Sequence, residues 1–252
     1  MKTTYQLLLL DVDGTTVASR ANALPSQRVI DAVRKAQKQV HVALATGRPI
    51  HLTKLVTDAL GLHGPSVFNG GAEIIDLTNN KLIHQELVPV DSLKELVKLA
   101  LPFGYKIYTD DDKYGTQIAS ADNIKNAAAK FFVEAVDIQS LPAILEELNA
   151  VAGTAAHPTT SWDKGDVVDI HVTHEHATKR YGVERLIAYL GIPKESVIAI
   201  GDGHNDIPLL EAAGTKIAMG NAPDEVKALA DFVTPSIQDD GVAVAIERYI
   251  LN

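Results

Sequence analysis

Short apolar runs alternate with helical patterns at both ends of this chain, and this alternation constrains its fold more than any other feature. Residues 5–10, 42–48 and 66–71 have the pattern of short buried strands. Helical patterns begin between them at Ser26, the predicted N-cap of the first helix, and at Pro49. After Thr178 the alternation returns, with a helix predicted over about 179–190 before a strand at 197–200. Strands that alternate with helices predict βαβ units and a parallel sheet.

The middle of the chain has a different pattern. A hairpin is predicted to turn at Asn79-Asn80. Beyond it, helices are predicted over 92–101, 124–132 and 141–149, and short strands over 106–109, 117–119 and 167–172. At roughly 100–200 residues per domain, 252 residues form one large domain or two smaller ones. The sequence therefore predicts an α/β core domain with a parallel sheet, residues 1–84 and 177–252, and an inserted α+β domain at 85–176.

Composition excludes several classes of function. The chain has no cysteine, which excludes disulfides, thiolate nucleophiles and Cys-ligated zinc or iron–sulfur sites. With 23 basic and 32 acidic residues, its net charge of −9 argues against a general nucleic-acid or anionic-membrane binder. No segment approaches the ~18 apolar residues of a membrane span, and Asp11 ends the N-terminal apolar run too early for a signal peptide. We therefore expect a soluble, cytoplasmic protein that binds neither nucleic acid nor membrane.

Polar side chains follow three of the predicted strands at the point where each strand ends: Asp11 and Asp13, then Thr46, then Asp202, Asn205 and Asp206. In open α/β sheets, ligands bind at this carboxyl edge. Several carboxylates in one crevice repel one another unless a cation lies among them, and hard oxygen ligands without His or Cys suit Mg²⁺. Thr46, Asn205 and a lysine would complete a phosphate site.

Hydrolysis of a phosphate ester is the reaction that these groups favour. The uncatalysed reaction is among the slowest known, so positioning, metal charge and donors to the phosphoryl oxygens must act together. The predicted site offers a carboxylate nucleophile, a second carboxylate for proton transfer, a metal and a cationic side chain.

Four segments resemble the motifs of the haloacid dehalogenase superfamily: "DVDGT" at 11–15, "ATGR" at 45–48, Lys179, and "GDGHND" at 201–206. Their order, with a large insert between the second and third motifs, is similar to that of the Cof-type, subclass IIB phosphatases. The segments "FNGGAEI" and "MGNAPDEVKALADFVT" fit the same pattern. The resemblance implies a Rossmann-like catalytic core and makes the insert a C2-type cap domain that sets substrate specificity. The third motif departs from the family pattern, since Arg180 stands where the family usually has glycine.

The resemblance also implies a role for each motif residue. Asp11 is the nucleophile that becomes an aspartyl phosphate, and Asp13 is the general acid and base. Mg²⁺ is held by the Asp11 side chain, the Asp13 backbone carbonyl and Asp202, while Asp206 supports it through water or an outer-shell contact. The remaining implied contacts are those to phosphate, from Val12, Thr46, Gly47, Lys179 and Asn205. Arg48 and Asn69 are candidate substrate contacts by their positions in the sequence; the alternatives are that Arg48 contacts the cap domain and that Asn69 only satisfies backbone groups in a glycine-rich turn.

These roles imply a Mg²⁺-dependent phosphatase that acts on small phosphorylated metabolites such as sugar phosphates. A phosphomutase or phosphotransferase would use the same aspartyl phosphate. A regulatory protein that binds phosphate or metal without turnover would need no general acid at Asp13. Release of inorganic phosphate separates the three alternatives. The residues of the insert that contact substrate stay open among six candidates: Lys106, Lys113, His157, Trp162, Asp163 and Lys164.

Overall fold

The computed structural model describes residues 5–20, 22–109, 116–161 and 166–252. The chain divides into two compact units: the core unit, Met1–His84 with Thr178–Asn252, and the inserted unit, Gln85–Ala177. Four of the candidate substrate contacts lie outside the described residues, namely Lys113, Trp162, Asp163 and Lys164.

The elements follow one another along the chain as strands β1 to β13 and helices α1 to α8. No helix in the described part of the chain combines the length and the apolar character needed to cross a membrane. The strands are β1 (Leu7–Leu10), β2 (His41–Leu44), β3 (Pro65–Phe68), β4 (Glu73–Asp76), β5 (Lys81–Gln85), β6 (Lys106–Thr109), β7 (Thr116–Gln117), β8 (Phe131–Asp137), β9 (Thr154–Thr160), β10 (Val167–His174), β11 (Val197–Gly201), β12 (Thr215–Ala218) and β13 (Phe232–Val233). The helices are α1 (Gln27–Ala36), α2 (Ile50–Leu60), α3 (Val90–Ala100), α4 (Leu141–Asn149), α5 (Lys179–Leu190), α6 (Ile207–Ala212), α7 (Asp224–Ala228) and α8 (Gly241–Ile246).

A parallel sheet in the order β13-β12-β11-β1-β2 forms the centre of the core unit. Beside β2, a parallel bridge joins Ala45 to Val67 of β3, which belongs to a smaller sheet in the order β3-β4-β5. The hairpin predicted at Asn79-Asn80 lies between β4 and β5, and Asn80 takes the left-handed conformation of such turns. The predicted α/β fold with a parallel core sheet is confirmed.

The four consecutive leucines of β1 are explained by burial on both faces of the sheet. Leu8 and Leu10 belong to one apolar cluster, which includes residues of α1 and α8. Leu7 and Leu9 belong to another, which includes residues of α5 and α6. Because helices cover both faces of a central parallel strand, such a strand is continuously apolar rather than alternating.

Side-chain caps fix where two helices of the core unit, α1 and α5, begin. Ser26 caps α1, as predicted, because its hydroxyl accepts a hydrogen bond from the Val29 N–H. Thr178 caps α5 in the same way through the Tyr181 N–H, and α5 ends at Gly191 in the left-handed conformation. A side-chain cap typically contributes about 1 kcal/mol to helix stability. The first residue of α5 is therefore Lys179, which belongs to the site described below.

The inserted unit is an antiparallel sheet in the order β7-β6-β8-β10-β9 with two helices against it. Its apolar core joins Leu93 and Leu96 of α3 and Ile144 of α4 to inward-facing residues of the sheet such as Phe131 and Ile170. The predicted α+β character of the insert is therefore confirmed.

The prediction of a helix over 124–132 is wrong. Residues 124–130 form no helix, and β8 begins at Phe131. Ala128 instead exchanges backbone hydrogen bonds with Val88, at 2.8 and 3.3 Å. The run of three alanines favours a helix locally, but pairing with a distant segment overrides that propensity. Strand β9, "TAAHPTT", was not predicted, because alanine and proline are poor strand formers.

Candidate active site

The ends of β1 and β11 bring Asp11, Asp202 and Asp206 together. Asp11 directly follows β1, and the loop after β11 carries the other two. The two strands are neighbours, and the Asp11 N–H donates to the Ile200 carbonyl oxygen at 3.0 Å. One carboxylate oxygen from each aspartate lies within 4.8 Å of the others. The carboxyl edge of the sheet therefore carries a cluster of three carboxylates, at the place that strand order predicts.

Lys179 lies between two of these carboxylates. Its Nζ atom donates to Asp11 Oδ1 at 2.6 Å and to Asp206 Oδ1 at 2.5 Å. All three side chains are almost fully buried, with exposures of 5%, 5% and 1% for Lys179, Asp11 and Asp206. Charge-assisted hydrogen bonds of this kind are strong, and removing one partner would leave a buried charge unpaired.

The backbone beside α5 explains how Lys179 reaches this position. Gly71 has a φ of +111°, and a Cβ atom there would lie 2.0 Å from the Thr178 carbonyl oxygen. Only glycine therefore allows the loop after β3 to approach the start of α5 so closely. Arg180, which stands in the usual glycine position of the third motif, is half exposed and pairs with Glu184 at 2.8 Å. Its side chain therefore points away from Lys179 and leaves the ion pairs undisturbed.

Asp206 is held by hydrogen bonds to both of its oxygens. Oδ1 accepts from Lys179, and Oδ2 accepts from the backbone N–H groups of Asp202 and Gly203 at 3.0 and 2.9 Å. Asp206 therefore fixes the turn after β11 and, through that turn, the position of Asp202.

The loop after β1 lies directly against Asp202. Gly14 has a φ of +78°, and a Cβ atom there would lie 2.1 Å from Asp202 Oδ2. The Thr15 hydroxyl donates to Asp202 Oδ1 at 2.8 Å, and the Thr16 hydroxyl donates to the Asp11 carbonyl oxygen at 2.6 Å. The close approach of Gly14 and the Thr15 hydroxyl thus join the ends of β1 and β11, while the Thr16 hydroxyl holds the loop after β1 against Asp11.

Asn221 is a site residue that the sequence analysis missed. It follows β12, and its Nδ2 atom donates to the Gly14 carbonyl oxygen at 2.9 Å and to Asp202 Oδ2 at 3.2 Å. Its Oδ1 atom accepts from the Ile237 N–H at 2.9 Å. The only signal in the sequence was the position of "GN" just after a strand, at the same sheet edge as the other site residues.

Burial and mutual repulsion make the cluster retain protons when no cation is present. Burial, with added repulsion from Asp206, raises the pKa of Asp11 to about 8, although Lys179 opposes the shift. Burial likewise raises the pKa of Asp202 to about 6, against the hydrogen bond from Thr15. Burial alone would lower the pKa of Lys179, but the charges of Asp11 and Asp206 raise it above its usual value.

The cluster has the donor set of a site for a hard divalent cation. The cluster has three carboxylates and one ammonium group, which pairs with Asp11 and Asp206. When all three carboxylates are ionised, the cluster therefore carries excess negative charge, largely shielded from solvent. The ligand atoms on offer are oxygens, which suit a cation such as Mg²⁺. Burial, and after it repulsion from Asp206, raises the pKa of Asp11; a bound cation would favour its ionised form and would release protons from the site. The residues present therefore fit a metal.

The predicted phosphate-binding threonine and the arginine after it lie at the end of β2. Thr46 is 1% exposed, and its hydroxyl accepts from the Arg48 N–H at 3.1 Å, which leaves the hydroxyl proton to donate elsewhere. The Arg48 side chain turns to Asp13: Nε donates to Oδ2 at 2.7 Å and Nη2 to Oδ1 at 2.5 Å. Arg48 and Asp13 therefore form a bidentate ion pair beside the carboxylate cluster.

The two predicted asparagines differ in their surroundings. Asn205 is exposed in the loop after β11. Asn69 is 3% exposed with a φ of +51°, and its Nδ2 atom donates to Glu73 at 2.8 Å. Its Oδ1 atom is buried and has no hydrogen-bond partner among the residues that the structure describes. Asn69 therefore lies next to the site but beneath the surface, whereas Asn205 is accessible.

Comparison with known proteins identifies the family. The chain matches the haloacid dehalogenase-like hydrolase family over residues 8–150 and 112–246. It belongs to this family. A putative phosphatase of Bacillus subtilis is 27% identical over 96% of this chain and 97% of the relative. A protein named phosphoglycolate phosphatase 1, from Saccharolobus solfataricus, is 28% identical over 97% of this chain and 96% of its own length.

Solved structures of haloacid dehalogenase-like proteins have a fold similar to that of this chain over most of its length. One from Bacteroides thetaiotaomicron has a TM-score of 0.84 and 25% identity, and the match covers 97% of this chain and 99% of that one. A sugar phosphatase described as subclass IIB has a TM-score of 0.78 at 22% identity, with 97% and 98% covered. The predicted superfamily, its Cof-type subclass and the enzyme class, phosphoric monoester hydrolase, are confirmed.

The raised pKa of Asp11 predicts how the stability of the metal-free protein depends on pH. A carboxyl group whose pKa is about 8 when folded and 3.8 when unfolded binds more protons in the folded state. The free energy of unfolding therefore falls as pH rises between these values. In urea titrations with EDTA, the free energy of unfolding of Asp11→Asn relative to that of the wild type should therefore rise from pH 5 to pH 8, because asparagine does not ionise.

Asp31→Asn is the matched control, because Asp31 is an exposed carboxylate on α1. It should leave the pH dependence of the wild type unchanged. A difference in stability between metal-free Asp11→Asn and the wild type that is the same at pH 5 and pH 8 would contradict the proposed origin of the shift.

Proposed function

We propose that this enzyme is a Mg²⁺-dependent phosphatase that hydrolyses small phosphorylated metabolites through an aspartyl phosphate on Asp11. The observation that carries the proposal is the buried Lys179, bound to both Asp11 and Asp206 at the carboxyl edge of the sheet. A lysine in this place holds the nucleophilic carboxylate in one orientation and brings positive charge to the point where a phosphoryl group would arrive.

The metal would be held by the Asp11 carboxylate, the Asp13 backbone carbonyl and Asp202. Both oxygens of Asp206 are already engaged by Lys179 and two backbone N–H groups, which suits an outer supporting role better than direct ligation. When bound, Mg²⁺ supplies charge that neutralises the phosphoryl oxygens and lowers their repulsion of the nucleophile.

Asp11 and Asp13 divide the chemistry between them. A carboxylate oxygen of Asp11 attacks phosphorus, the ester P–O bond breaks, and Asp13 gives its proton to the departing oxygen. Asp13 then takes a proton from water as the water oxygen bonds to phosphorus and the bond to Asp11 breaks. The phosphoryl oxygens are held meanwhile by the proposed donors Lys179, the Thr46 hydroxyl, Asn205 and the backbone amides of Val12 and Gly47.

We assign substrate selection to the inserted unit, because the residues of all four motifs belong to the core unit. Lys106, which is mostly exposed and 3.3 Å from Glu134, and the exposed His157 of β9 remain candidate contacts. The named activity of the phosphoglycolate phosphatase relative supports a small phosphorylated organic substrate. Sugar phosphates are the first class to test, and a cytoplasmic location stays a prediction.

Metal dependence is the first prediction for this function. Release of inorganic phosphate should stop after treatment with EDTA and return with Mg²⁺. Ca²⁺ should inhibit the enzyme, because it takes more oxygen ligands at longer distances and would disturb the Asp11 carboxylate. Binding of Mg²⁺ to the metal-free protein, followed by calorimetry, should be lost in Asp202→Ala. Full turnover by protein shown to be metal-free would contradict the proposal.

Substitution separates the roles of the two aspartates after β1. Asp11→Asn should abolish phosphate release from every ester, because the attacking oxygen is gone. Asp13→Asn should lower kcat by roughly 10²–10⁴-fold, the usual contribution of general acid–base catalysis. Exposed Asp31→Asn serves as the control for both and should keep wild-type turnover. Normal turnover in Asp11→Asn would show that another group attacks phosphorus.

A further inference from the structure

The carboxylate of Asp13 is bound on both oxygens by one guanidinium group. Arg48 Nε lies 2.7 Å from Oδ2 and Arg48 Nη2 lies 2.5 Å from Oδ1. The Asp13 side chain is 35% exposed, whereas that of Arg48 is only 8% exposed. This parallel pairing is the fork geometry that arginine offers and lysine cannot reproduce.

Arg48 is itself anchored to the backbone on two sides. Its Nη1 atom donates to the Leu52 carbonyl oxygen in the first turn of α2, at 3.3 Å. Its Nη2 atom also donates to the Arg20 carbonyl oxygen in the loop after β1, at 3.3 Å. The guanidinium group is therefore fixed by two separate segments, and each of its three nitrogens has a partner within the core unit.

These contacts disfavour the substrate role that the sequence suggested for Arg48. A side chain reserved for substrate would present open donors, whereas this one is buried and donates from each of its three nitrogens to the core unit. A group that transfers protons must be held in a narrow range of positions. Arg48 supplies that restraint at Asp13, as Lys179 does at Asp11.

We propose that Arg48 is the positioning residue of Asp13: it orients the acid–base carboxyl group for both proton transfers and does not bind substrate. This inference rests on the function proposed above. When Asp13 is ionised, both oxygens accept from Arg48. When Asp13 carries the proton, one oxygen still accepts from Arg48 and the other presents its O–H to the departing ester oxygen. The proton passes to that oxygen and is later replaced from water, so Arg48 neither gains nor loses one.

A double-mutant cycle tests this inference. Phosphate release is measured for the wild type, Arg48→Gln, Asp13→Asn and the double variant, with a sugar phosphate and with p-nitrophenyl phosphate. Arg48→Gln should lower kcat for the sugar phosphate by about 10–100-fold, within the range of acid–base effects, and change KM by less than about 3-fold. In the Asp13→Asn background the same substitution should change kcat by less than about 3-fold, because residues that act as a unit are not additive.

Two further variants control for charge and for folding. Arg48→Lys keeps the charge without the fork and should show an intermediate loss of kcat. It also replaces Arg48→Gln in the cycle if the glutamine variant does not fold. On the exposed surface, Arg28 makes a similar bidentate ion pair, in which Nε and Nη2 donate to the carboxylate of Glu247. Arg28→Gln removes this pair and should leave kcat and KM unchanged.

The outcomes separate this inference from the proposed function. A tenfold rise in KM with kcat retained would assign Arg48 to substrate binding and overturn the inference. The inference would also be overturned if Asp13→Asn alone lowered kcat and adding Arg48→Gln lowered kcat further by the same factor as it does in the wild type. Normal turnover by Asp13→Asn would instead overturn the acid–base role in the proposed function, and this inference with it.

Discussion

The ammonium group of Lys179 lies between the carboxylates of Asp11 and Asp206, and the rest of the site depends on this buried arrangement. It joins the end of the first strand, the start of the helix after the insert and the loop after β11. Each segment has a feature that holds it in place. The leucines of β1 are buried, Thr178 caps the start of α5, and Asp206 holds the turn after β11. Buried ion pairs form only when their geometry offsets the loss of hydration, so these segments must be placed accurately.

The same arrangement leaves negative charge uncompensated. Lys179 pairs with two carboxylates, while Asp202 has neutral donors, the Thr15 hydroxyl and the Asn221 amide. Without a cation the site retains protons, as the raised pKa values of Asp11 and Asp202 indicate. A nucleophile that holds a proton cannot attack phosphorus. The proposed Mg²⁺ would therefore ionise the nucleophile as well as bind the phosphoryl oxygens.

The sequence predicts the parts of the structure that depend on local pattern and on the order of strands. The apolar run of β1, the cap at Ser26 and the bounds of α5 follow from residue types, and the carboxyl-edge rule brings Asp11 and Asp202 together. Three features escaped prediction because they depend on distant partners. Ala128 pairs with Val88 and so leaves no helix at 124–132, Asn221 reaches Gly14 across the sheet edge, and Arg48 turns to Asp13. Spacing along a chain does not encode the direction in which a side chain points.

The central claim is that Asp11 is the nucleophile of this site, and trapping of the phosphoenzyme tests it most directly. The enzyme with Mg²⁺ and a turning-over phosphate ester is quenched with borohydride, which reduces an aspartyl phosphate to homoserine, and its peptides are sequenced by mass spectrometry. We expect homoserine at position 11 only when substrate is present, and none at Asp13, Asp202 or Asp206. Homoserine at another of these aspartates, or rapid turnover with position 11 unchanged under conditions that trap a control aspartyl phosphate, would contradict the account.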